Sequence, residues 1–68
     1  MHTRSIVAYN LKQIQLERKL TRKQIASLTG LSYREISKIQ HEEVSITLDT
    51  LEKLAVGLDL TVAELVSK

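Results

Sequence analysis

Between Thr21 and His41 the chain reads TRKQIASLTGLSYREISKIQH, and its second half gathers the side chains best suited to chemistry. Residues three or four apart share a helix face, so Tyr33, Arg34, Ser37, Lys38 and His41 cluster away from Ile36 and Ile39 if this segment is helical. Phenol, guanidinium, hydroxyl, ammonium and imidazole side by side make a row of hydrogen-bond donors. Such a face is able to meet DNA. Bond-making chemistry finds less support. His2 and His41 have no partner at metal-ligand spacing, and no Gly-rich nucleophile turn or phosphate-cradling loop is present. A chain of 68 residues has little room for a catalytic pocket beside its core. The residues read as those of a non-enzyme, with no metal and no cofactor.

Two short helices must position that face. Thr21 followed by Gln24 is a capping-box pattern that opens a helix at Arg22, and Gly30 can take the left-handed conformation that ends it near Thr29. Ser32 with Glu35 is a second box, opening a helix from Tyr33 to Gln40 or His41. Helix, Gly-containing turn, helix is the helix-turn-helix layout.

Upstream, the periodicity predicts a helix from about Ser5 to Arg18, with Val7, Leu11 and Ile14 as its buried stripe, Ile6 and Ala8 at the edges, and Tyr9 and Leu16 off it. Downstream, residues 41–47 read as a loop with Val44 and Ile46 turned inward. Thr47 caps a fourth helix that buries Leu48, Leu51, Leu54 and Ala55 and reaches Leu58. Thr61 and Glu64 box a short fifth helix burying Val62, Leu65 and Val66. One all-α domain over residues 1–68 follows, with its helix-turn-helix at residues 21–41.

Composition agrees. The chain is 43% hydrophobic and 26% charged, which is globular rather than disordered, and it contains no proline and no cysteine. No window approaches a membrane span and the N-terminus lacks the apolar run of a signal peptide, so the expected location is cytoplasmic. The net charge of +2 conceals an asymmetry. Residues 1–41 carry eight basic and two acidic side chains, a balance of +6; residues 42–68 carry two basic and six acidic, a balance of −4. The first part suits a polyanion and the second does not.

Taken in order, these pieces resemble the Cro/cI-type (XRE-type) helix-turn-helix family. Leu20-Thr21 with Gln24-Ile25-Ala26 is similar to its L-S-Q-x-x-L-A signature, Thr29-Gly30-Leu31-Ser32 to its turn, and Ile36-Ser37-Lys38-Ile39 to the recognition-helix core. Leu48, Leu51, Leu54 and Ala55 resemble its fourth helix, and Leu60-Thr61 with Glu64-Leu65 its fifth. Six positions depart from the family pattern. Arg22 stands where Gln is usual, Gln15 and Gln40 where an Arg–Glu pair is common, Lys19 where Gly follows the first helix, and Glu42-Glu43 where Gly and Lys are usual.

The resemblance implies a compact five-helix, lambda-repressor-like fold with its third helix in the major groove of double-stranded DNA. Tyr33, Arg34 and Lys38 match base-contact positions, with Glu35 as a fourth candidate that is also a capping residue. Arg22, Lys23, Ser32 and His41 match phosphate-contact positions. It further implies a homodimer on an inverted repeat, with Leu58, Leu60, Val62 and Val66 as candidate interface residues that could instead be core. The expected function is a sequence-specific transcriptional regulator, a repressor or autoregulator. Two roles fit: a phage or mobile-element repressor, and an antitoxin-like or restriction controller with a protein partner such as a toxin or antirepressor. A protein-interaction module on the same fold, with little or no DNA affinity, is the alternative.

Overall fold

The computed structural model describes residues 2–67, and among them it contains five helices and no strand: α1 (Thr3–Arg18), α2 (Arg22–Thr29), α3 (Tyr33–Gln40), α4 (Leu48–Leu58) and α5 (Val62–Val66). The all-α, five-helix expectation holds. Helix α1 begins two residues earlier than the periodicity predicts, on an extended His2 whose side chain makes no cap. The other four helices open on a hydroxyl that accepts the backbone N–H three residues ahead: Thr21 from Gln24, Ser32 from Glu35, Thr47 from Thr50 and Thr61 from Glu64. All three expected capping boxes form.

Helix α1 packs on α3 and α5, α2 on α3 and α4, and α4 on α5. The core between them holds Val7, Leu11, Ile25, Leu31, Ile36, Ile39, Leu51, Leu54, Ala55, Leu58 and Leu65, with Val44 and Ile46 packed against it from the loop after α3. Leu58 is 1% exposed and belongs to this core, which removes it from the candidate interface set. Leu60, Val62 and Val66 are partly buried against the same core and keep some exposed surface. Leu48 differs from expectation too: it is 63% exposed. As the first residue of α4 it lies at the rim of the apolar stripe, with no facing element to cover it. Tyr9 and Leu16 are exposed, in accord with their place off the α1 stripe.

Three turns are closed by charged residues in the left-handed conformation: Lys19 (φ 55°), Glu42 (φ 59°) and Asp59 (φ 56°). At each, the following amide reaches back to a carbonyl near the helix end: Leu20 to Gln15, Glu43 to Lys38 and Leu60 to Ala55. This is the Schellman pattern, in which glycine is the usual occupant. Gly57 answers a different need. A Cβ there would lie 2.4 Å from the Leu28 carbonyl oxygen, so α4 crosses the end of α2 backbone against backbone.

Side chains of α1 close the C-terminal ends of two other helices. Asn10 Nδ2 donates to the carbonyls of Leu65 and Ser67 at 2.8 and 2.7 Å, and Arg18 Nη1 donates to the Leu58 carbonyl. No described helix is long and apolar enough to cross a membrane.

Candidate nucleic-acid interface

The capping box at Ser32 fixes where α3 begins and hence which residues its first turn displays. Tyr33 is 49% exposed, and Arg34 and Glu35 are also exposed. Lys38, one turn further on, is half-buried beside Ile39, Val44 and Ile46, as a long stem can be while its ammonium reaches outward. Ile36 and Ile39 hold the opposite face of α3 in the core. Tyr33, Arg34 and Lys38 therefore form a row along the outer side of α3, anchored from behind by the two isoleucines. Glu35 is differently engaged: its Oε1 accepts the Ser32 amide at 3.1 Å, so its carboxylate is turned back on the cap.

The phosphate candidates flank this row. Helix α2 starts at Arg22 and Lys23, and a hollow lined by Gln15, Leu20, Thr21, Arg22, Lys23 and Tyr33 brings the starts of α2 and α3 to one place. Unpaired N-terminal amides and two cations favour an anion there. Ser32 Oγ accepts the Glu35 amide at 3.0 Å and retains its own proton for donation. His41 is exposed at the far end of α3, with Nδ1 2.7 Å from the Ser37 carbonyl. That contact makes Nδ1 the protonated nitrogen and leaves Nε2 facing away from it.

Arg22 does more than line the hollow. Its Nε donates to Gln40 Oε1 at 2.6 Å and its Nη1 to Ser37 Oγ at 3.3 Å, while Gln40 Nε2 donates to Gln15 Oε1 at 2.8 Å. Gln15 and Gln40, which stand where an Arg–Glu pair is common in the family, do meet, and the Arg22 guanidinium, expected only at a phosphate, joins them. Nothing in the spacing of Arg22 and Gln40 announces this contact.

Glu42, which departs from the family pattern with an acidic side chain, accepts a hydrogen bond from Ser5 Oγ in the first turn of α1. The positive end of the α1 dipole lies beside it. Glu43 is exposed, with no partner of this kind among the described residues. Among those residues no group of three or more His, Cys, Asp or Glu side chains is placed to hold a metal ion.

A model of the Cro/C1-type helix-turn-helix DNA-binding domain matches residues 10–67. Among solved structures, the chain superposes on a hypothetical transcription factor from Neisseria with a TM-score of 0.89 at 23% identity, covering 97% of this chain and 76% of that one. An HTH_3 family transcriptional regulator from Vibrio cholerae gives 0.87 at 33% identity, with 93% of this chain covered but only 35% of the regulator, so the chain spans about a third of that protein. A restriction–modification controller protein, C.Esp1396I, gives 0.81 at 28% identity over 90% of this chain and 79% of its own. No curated protein matches the chain significantly.

Proposed function

The chain belongs to the Cro/C1-type helix-turn-helix DNA-binding family, and from that premise we propose that it is a sequence-specific transcriptional regulator, acting as a homodimeric repressor or autoregulator on an inverted-repeat operator. The observation that carries this reading is the outer row of α3: exposed Tyr33 and Arg34 with half-buried Lys38 one turn on, flanked by the paired starts of α2 and α3. A helix presented in this way enters the major groove with its N-terminal half toward the base edges. Arg34 and Lys38 donate to guanine O6 and N7, and Tyr33 meets a thymine methyl or a phosphate. Arg22, Lys23, Ser32 and His41 hold the backbone on either side. Glu35 serves first as the cap of α3, with cytosine N4 as the base group it could accept from.

A dimer supplies what one small domain lacks, because few phosphate contacts give weak binding. Leu60, Val62 and Val66 remain candidates for its interface, and the 83% exposed Val56 on α4 extends the same acidic half of the chain. Likeness to a restriction–modification controller favours an autoregulatory role, with cytoplasmic location and control by concentration or by a protein partner such as a toxin or antirepressor. The protein-interaction module keeps one specific observation in its favour: Glu43, in the loop after α3, is exposed and has no ion-pair partner among the described residues.

Selection of bound duplexes from a randomised pool at moderate salt tests the proposal. Recovery of an inverted repeat with half-sites about 34 Å apart is the expected result. A pool that stays random would overturn it and leave the interaction module.

A further inference from the structure

Gln40 is buried to 1% exposure at the end of α3, deeper than the buried polar Thr29 at 7%. A side-chain amide so placed needs both its acceptor and its donors satisfied by protein, and here each has a specific partner. Its oxygen takes the Arg22 Nε–H and its nitrogen gives to Gln15. The direction of this relay, from Arg22 through Gln40 to Gln15, fixes which way the Gln40 amide faces. Reversing it would set an NH2 group against the guanidinium, donor against donor. The second contact, to Ser37, lies one turn back on α3, so Arg22 grips that helix at two points.

A guanidinium carries five N–H donors, and these two contacts use two of them. Arg22 is half-buried rather than enclosed, and the ion pair present among the described residues is Lys53–Asp49, elsewhere on α4. No carboxylate among the described residues lies within salt-bridge distance of its charge. Two of its donors hold the recognition helix, and Arg22 also lines the hollow at the start of α2, bringing there a positive charge that no described carboxylate pairs.

We infer that Arg22 is a positioning residue for the recognition helix as well as a phosphate ligand, so that taking hold of the DNA backbone and setting the angle of α3 are one event. This rests on the DNA-binding function proposed above. It differs from a plain phosphate contact, which would strengthen binding to every sequence alike. Because α3 is tied to Arg22, an error in the grip becomes an error in where Arg34 and Lys38 meet the base edges. Lysine cannot substitute, since it brings the charge without the planar fork that spans Gln40, Ser37 and a phosphate together.

The experiment compares the wild type with Arg22→Lys, Gln40→Met and the double variant. For each, affinity is measured for the selected operator and for single-base-pair variants of it, across a salt series. Arg22→Lys should keep the salt slope, which counts phosphates neutralised, while discrimination between operator and variant falls about fivefold, the worth of one net hydrogen bond. Gln40→Met, with no charge altered, should lose discrimination in the same direction, and the double variant should be no worse than Arg22→Lys alone. Wild-type discrimination in Arg22→Lys overturns the inference, as does simple additivity in the double variant.

Amide hydrogen exchange at the end of α3, measured without DNA, separates this inference from the proposal beneath it. Faster exchange at Gln40 and His41 in Arg22→Lys is expected, and unchanged exchange overturns the positioning role even if DNA binding is intact. If the wild type selects no duplex, the DNA-binding function fails and the phosphate half of the inference falls with it, whatever the exchange shows.

Discussion

Arg34 and Lys23 carry the same charge, yet their expected effects are opposite in kind. Arg34 stands exposed on the first turn of α3, so Arg34→Ala should relax preference at one base pair by about 1–3 kcal/mol, read from affinities on a set of single-substitution duplexes. Lys23 stands at the start of α2, so Lys23→Ala should weaken binding on all duplexes alike and reduce the salt slope by about one phosphate. A shift in the preferred site with Lys23→Ala would contradict its assignment to the backbone. At this scale the sequence was legible where a role is local. The capping boxes at Thr21, Ser32 and Thr61 span three residues each and could be read directly. Arg22 with Gln40, Ser5 with Glu42, and Asn10 with the end of α5 are separated by 18, 37 and 55 residues, and no local pattern records such pairs.

The elements themselves follow from period and punctuation, and their packing follows only in part. Buried Val7, Leu11, Ile25, Ile36, Leu54 and Leu65 all fall on stripes that a 3.6-residue repeat marks out. Leu48 has the right period and the wrong environment, since periodicity states which face is apolar and not whether a neighbour reaches its end. Gly57 was silent in the sequence, because a glycine within a helix pattern does not say what approaches it. Its importance lies in the crossing of α4 over the last turn of α2. Gly57→Ala would place a methyl group against the Leu28 carbonyl and the Thr29 Cα, both backbone and unable to rotate aside. Despite alanine's better helix propensity, this variant should lose about 1–3 kcal/mol of stability in urea unfolding. An equal or higher midpoint would mean that the two helices separate without cost.

For the molecule as a whole, the proposed dimer and the charge asymmetry make a joint claim. If the acidic half of the chain joins two copies, Val56→Glu should leave the helical content unchanged, since that side chain is 83% exposed, while weakening self-association by about tenfold or more in sedimentation. The same variant should reduce operator affinity more than half-site affinity, because only the operator requires both copies. A monomeric wild type at concentrations that saturate the operator would remove the dimer from the proposal. Family, helix order and the basic-to-acidic division were all present in the sequence. Whether Leu60, Val62 and Val66 serve the core or a second copy was not, because apolar side chains of either kind look alike in one dimension.

The charged residues that close three helix ends in the left-handed conformation bear on how this protein withstands heat and change. Each left-handed Lys19, Glu42 or Asp59 costs on the order of 1 kcal/mol relative to glycine, a sizeable share for a domain of marginal stability. Lys19→Gly or Asp59→Gly should therefore raise the melting temperature by about 4–8 °C apiece in a domain of this size, as read by calorimetry. Neither residue is on the outer row of α3, so tolerance can be gained without touching the surface assigned to base reading. Stabilised in this way, the fold could accept trial side chains at positions 33, 34 and 38 that would otherwise unfold it, and a scaffold for new operators follows from three strained turns.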